Sequence, residues 1–97
     1  MNLLLLAGYS KHNQPWIHGV EDGFKNLFGT TIVHEYKHWE TGEDFIDLEA
    51  ELERVGRSSL AIQPYCIFAK SVGTVLTIKG IHQKMLHPRA CLFVVCR

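Results

Sequence analysis

Two short apolar runs constrain this chain more than any other feature: "LLLLA", residues 3–7, and "YCIFA", residues 65–69, each followed by a polar, glycine-bearing segment and then by helical spacing. Neither alternates apolar with polar residues as a strand with one wet face does; continuous runs of this length suit strands covered on both faces. Such strands belong to parallel sheets, whose crossover helices do the covering. Gly8 stops the first run, and Pro64 confines the second to about Tyr65 through Ala69, because proline cannot donate to a central ladder.

The remainder of the chain alternates in the same way. After the polar loop "GYSKHNQP", Pro15 opens a helix whose apolar positions Trp16, Val20, Phe24, Leu27 and Phe28 carry it to near Gly29. Thr31 to Trp39, rich in β-branched and aromatic residues but bearing charges, predicts a second strand near the sheet edge. "ETGED" turns the chain into a second amphipathic helix through Phe45, Leu48, Leu52 and Val55, ended by Gly56. A third helix runs from Ser71 to about Leu86, and after Pro88 the segment "ACLFVV" forms a fourth strand. The expected fold is α/β: a three-layer sandwich with a four-stranded parallel sheet, right-handed crossovers and a Rossmann-like core, in one domain over residues 1–97.

Composition narrows the partners. Ten Lys and Arg balance ten Asp and Glu, so no net field favours nucleic acid or anionic lipid. The four leucines after Asn2 are too few to span a bilayer and lack a basic leader, so they read as a strand in a cytoplasmic protein with no membrane partner. Cys66, Cys91 and Cys96 are odd in number and form no C-x-x-C pair, which predicts buried thiols rather than a disulfide framework or a zinc site.

In a parallel sheet, functional loops gather at the carboxyl ends of the strands. Gly8-Tyr9-Ser10 and Lys70-Ser71-Val72-Gly73 are therefore expected to face one crevice. Ala69, Ser71 and Gly73 occupy the three fixed positions of G-x-S-x-G, with alanine in place of the first glycine. The strand before and the helix after supply the context of a nucleophile elbow, which exposes the serine oxygen and aims the next amide, here Val72 N–H, at a developing oxyanion. The competing reading is that Ser71 simply caps the helix. Gly8 and Tyr9 likewise read either as an ordinary glycine turn or as the source of a second oxyanion donor, the Tyr9 amide.

Taken together, "LLLLAGYS" and "IFAKSVGT" resemble the first half of a small α/β-hydrolase, in which a strand ending in His-Gly is followed, two strands later, by the elbow. Ala7 replaces the histidine of that pair and Ala69 the first elbow glycine; neither change removes a backbone donor. The resemblance implies Ser71 as nucleophile, Tyr9 and Val72 as oxyanion donors, and a small ester or thioester as substrate, with no cofactor and no metal. It also implies an acid and a histidine after later strands, which this chain does not reach. The expectation is thus a truncated domain, a partial α/β-hydrolase core with little or no turnover. Two alternatives stand beside it: a serine esterase or acyl hydrolase whose base is His12 or comes from another subunit, and a non-catalytic interaction module that forms a homodimer or higher homo-oligomer through the C-terminal edge strand.

Other clusters carry less. His34 and His38, four apart on a strand, would lie roughly 13 Å from each other and could not share a metal. His82 and His87 fall at the far end of the third helix. Asp44, Asp47, Glu49, Glu51 and Glu53 read as a solvated helix face, and Lys70 should point away from Ser71. "AKS" lacks the glycines of a phosphate loop, and the turn after strand one lacks a dinucleotide fingerprint.

Overall fold

The computed structural model describes residues 1–94. In chain order the elements are β1 (Asn2–Leu6), α1 (Asn13–Phe24), β2 (Thr31–Val33), α2 (Lys37–Thr41), α3 (Leu48–Leu60), β3 (Tyr65–Lys70), α4 (Val72–His82) and β4 (Cys91–Val94). The strands form one parallel sheet in the order β2-β1-β3-β4. The chain steps one way from β1 to β2 and the other way from there to β3 and β4. With right-handed crossovers this sends α1 to one face and α3 and α4, which touch each other, to the opposite face. The result is a three-layer α/β domain of Rossmann-like topology, as the two apolar runs predict.

β1 and β3 lie at the centre. Leu3 to Ala7 and Ile67 to Ala69 are buried, and Ile17 of α1 packs into one side of this core while Leu52, Val55 and Leu76 contribute helical core residues of α3 and α4. Because the step direction reverses between β1 and β3, their carboxyl ends form the switch point at which open α/β sheets leave a crevice. Among the described residues no helix is long and apolar enough to cross a membrane.

Several local expectations are corrected. Helix α1 begins at Asn13 and ends at Phe24, so Leu27 lies beyond it and is exposed; Ile17, not Trp16, is its fully buried residue. The second strand stops at Val33, and His38 and Trp39 lie on the short helix α2. That turn carries three side chains beneath β1: Tyr36 Oη donates to Ala7 O at 2.6 Å, and His38 Nε2 and Trp39 Nε1 both donate to Tyr9 O, at 2.5 and 2.9 Å. One buried and two part-buried hydrogen bonds outweigh a longer edge ladder.

Gly56 does not end the second helix. α3 continues to Leu60, because Gly56 is buried near Met85 and the packing there offsets the modest helical penalty of glycine. Asp47 caps this helix, accepting a hydrogen bond from Ala50 N at 3.1 Å. Helix α4 ends at His82 rather than Leu86: Lys84 takes a positive φ of 61°, and Met85 N–H and Leu86 N–H both return to Gly80 O, tucking Leu86 into the core. Of the thiols expected to be buried, Cys66 is half-buried and Cys91 exposed; Cys96 and the end of the fourth strand lie outside the described residues.

Candidate functional site

The strand-to-helix turn after β3 has a backbone few residues adopt. Ser71 sits at φ 55°, ψ −120°, and its side chain makes no capping hydrogen bond to α4. An ordinary N-cap serine lies in the extended region and uses its oxygen to bind the helix. Ser71 occupies the N-cap position of α4 but does neither, and this exposed residue lines the crevice. A non-glycine residue in such a conformation is held there at a cost of about 1–3 kcal/mol by the surrounding structure.

Gly73 supplies that surrounding structure. A Cβ placed on it would lie 2.2 Å from Leu6 O, so only glycine lets the first turn of α4 rest directly on the end of β1. Thr74 N–H and Val75 N–H donate to Ser71 O and start the helix. Neither Val72 N–H nor Tyr9 N–H has a backbone acceptor among the described residues.

The crevice has a volume of about 590 Å³. Gly8, Tyr9, Ser10 and Asn13 line it from the β1 side, and Lys70, Ser71 and Thr74 from the β3 side; Val75 and Val94 add apolar surface. The two loops expected to share a crevice therefore do so. His12 is exposed just before α1, where its backbone N–H donates to Ser10 Oγ at 3.2 Å, and it is not among the lining residues. Among the described residues no histidine and no carboxylate lines the crevice.

Lys70 shares the crevice lining with Ser71 and is held there by specific partners. Its Nζ donates to Asn13 Oδ1 at 3.1 Å and lies 4.4 Å from the centroid of the Trp16 ring. Asn13 is fixed in turn, since its Nδ2 donates to Ser10 O at 3.0 Å. These contacts favour a positioned ammonium rather than a proton acceptor for the neighbouring serine.

On the β1 side, the support comes from His38, which the sequence reading weighed only as a metal ligand, and from Trp39, which it did not single out. With His38 and Trp39 both donating to its carbonyl, Tyr9 has its peptide plane held from beneath, and its ring stacks on His38 at 4.4 Å between centroids. The bond to Tyr9 O requires the proton on Nε2 of His38, and its buried Nδ1 has no partner among the described residues. The signal was present in the run "HEYKHW", whose aromatic and histidine content exceeds what an edge strand needs.

A second polar cluster lies under the helical layer. Glu51, 3 % exposed, accepts from His34 Nε2 at 2.7 Å, Arg54 Nη1 at 2.9 Å and Lys37 N at 3.2 Å. This corrects the reading of Glu51 as part of a solvated face. Burial pushes the pKa of His34 below its ordinary value despite the opposing pull of Glu51, so the ring acts as a neutral donor; burial likewise pushes the Tyr36 phenol up. No group of three or more His, Cys, Asp or Glu side chains able to hold a metal ion occurs among the described residues.

No family model, curated protein or solved structure matches this chain.

Proposed function

We propose that Ser71 is the acyl-accepting nucleophile of an α/β-hydrolase-like site that takes an acyl group from small esters or thioesters and turns over slowly. The observation that carries this reading is the backbone of Ser71: a non-glycine residue at φ 55°, ψ −120° between a central strand and a helix, its hydroxyl unspent on capping. Strain of this kind is kept where the structure needs a side chain aimed in one direction. The elbow-like spacing Ala69-Ser71-Gly73 and the contact of Gly73 with Leu6 support the same reading.

In the proposed reaction the Ser71 oxygen bonds to the carbonyl carbon while its proton passes to a base. Tyr9 and Val72 N–H groups stabilise the tetrahedral oxyanion, and the alkoxide or thiolate leaves with the bonding pair. An oxyanion donor of this type contributes about 3–4 kcal/mol to the transition state. With no histidine lining the crevice among the described residues, solvent or the exposed His12 of the neighbouring loop takes the proton, and hydrolysis of the acyl-serine is the slower half. The free thiols Cys66 and Cys91 fit a reducing, cytoplasmic setting.

The test is hydrolysis of 4-nitrophenyl acetate beside labelling by a fluorophosphonate, each compared between the wild type and Ser71→Ala. A single label that disappears in Ser71→Ala, with turnover well below that of an ordinary esterase, is expected. Equal labelling of both proteins sinks the reading.

A second reading has its own observation. Among the described residues β4 pairs with β3 alone, and its Leu92 and Phe93 are 55 % and 40 % exposed; Val75, Ile78 and Ile81 of α4 are exposed as well. An apolar edge of this kind favours a homodimer that continues the sheet across a two-fold axis. Sedimentation at micromolar concentration should show a dimer that Leu92→Lys dissociates; a wild-type monomer refutes it.

A further inference from the structure

We propose that the Ser71 crevice selects esters and thioesters that carry a carboxylate near the reacting carbonyl, with Lys70 as the residue that binds this charge. The inference rests on Ser71 being the nucleophile and adds the class of substrate.

Lys70 is the one charged side chain lining the crevice among the described residues; every other lining residue is neutral. Its polar partner among the described residues is the amide oxygen of Asn13, which compensates no charge. An ammonium has three N–H donors, and Asn13 takes one. The remainder are available to an occupant of the crevice.

The position of this charge is fixed before any ligand arrives. Asn13 is anchored to Ser10 O, and the Trp16 face lies 4.4 Å from Nζ, so the usually mobile lysine is held between α1 and the end of β3. Little side-chain freedom is then left to lose on binding, which is the condition under which a single ion pair contributes to affinity. A concave, half-apolar wall beside the ammonium, formed by Val75 and Val94, strengthens its field relative to open surface. A neutral ester gains nothing from this arrangement, whereas a carboxylated one replaces crevice water at Nζ with an ion pair.

Two matched pairs of probes locate the charge. The acyl side is tested by 4-nitrophenyl hydrogen glutarate against 4-nitrophenyl butyrate, and the leaving-group side by 3-carboxy-4-nitrophenyl acetate against 4-nitrophenyl acetate. In each case Ser71 gains the acyl group, the nitrophenolate leaves with the bonding pair, the hydroxyl proton passes to buffer, and intact-protein mass reads the rate. In one pair the charged-to-neutral ratio should be about fivefold higher in the wild type than in Lys70→Gln, retained in Lys70→Arg, and reduced towards the Lys70→Gln value by about 0.5 M salt. Ratios unchanged by Lys70→Gln in both pairs overturn the inference. Glutarate titrated against tryptophan emission, compared between the wild type and Lys70→Gln so that the Trp39 background is common to both, separates anion binding from acylation. A Lys70-dependent response with no acylation of Ser71 refutes the nucleophile and keeps the anion site; acylation without charge preference or emission response refutes the anion site alone.

Discussion

His38 donates from Nε2 to the carbonyl of Tyr9 at 2.5 Å while its ring stacks on the Tyr9 ring. The same residue thus grips the loop after β1 at both its backbone and its side chain, and Trp39 doubles the backbone grip. A loop held in this way has little freedom to rotate its peptide planes, which a preorganised oxyanion donor requires. Replacing His38 by alanine removes one part-buried hydrogen bond and the stacking on Tyr9, an expected loss of about 2 kcal/mol in urea unfolding. Phosphonate labelling of Ser71 should slow as well. An unchanged labelling rate in a folded His38→Ala protein would detach the Tyr9 loop from the chemistry.

Ser71 should be a site where stability and reactivity oppose each other. Glycine adopts φ 55°, ψ −120° without the Cβ conflict that serine tolerates there. Ser71→Gly is therefore expected to raise stability by about 1 kcal/mol, allowing for the greater freedom of glycine in the unfolded chain, while abolishing labelling. Urea midpoints for wild type, Ser71→Ala and Ser71→Gly check this directly. A destabilised glycine variant would show that the turn stores no strain.

Gly73 should behave in the opposite way. The atom a new Cβ would strike is the backbone oxygen of Leu6, in the central strand, and neither partner can swing aside as a long side chain does. Gly73→Ala is expected to lose about 3 kcal/mol or to shift α4 off the sheet. Gly19, with nothing near its hypothetical Cβ, is the control: Gly19→Ala within α1 should be neutral or stabilising by urea unfolding.

What could be read from the chain follows the range of the interactions involved. The central strands and the Ser71 turn were legible because each is written in contiguous residues: an unbroken apolar run, then serine and glycine at fixed spacing. His34 to Trp39 misled because its alternation imitates a strand, whereas its side chains reach the carbonyls of Ala7 and Tyr9 about thirty residues earlier. Glu51 looked like its acidic neighbours because its partner His34 lies 17 residues away. Lys70 gave a partial signal: what holds its ammonium, Asn13 and Trp16, belongs to α1, with Asn13 57 residues earlier in the chain. Packing against Met85 similarly overrode the helix-ending signal of Gly56.

The pair His34 and Glu51 gives the fold a predictable response to acid. Burial is the main cause holding the His34 pKa below its ordinary 6.5, with Glu51 and Glu35 opposing it and Arg54 reinforcing it. The unfolded chain therefore binds the proton more readily, so this contribution to stability is fully present above pH 6.5 and is lost as pH falls through the folded value. The slope from one such group cannot exceed about 1.4 kcal/mol per pH unit. His18, raised chiefly by its hydrogen bond to Glu35, acts with the opposite sign: its contribution is present below pH 6.5 and fades as pH rises, but solvent screening at this exposed pair keeps it small. The net expectation is a loss of roughly 1 kcal/mol between pH 7.5 and 5.5, read from urea midpoints. His34→Gln keeps a donor for Glu51 without a titrating ring, so its stability should be lower at pH 7.5 yet nearly flat across the same interval. Parallel profiles for the two proteins would assign the acid response to other groups.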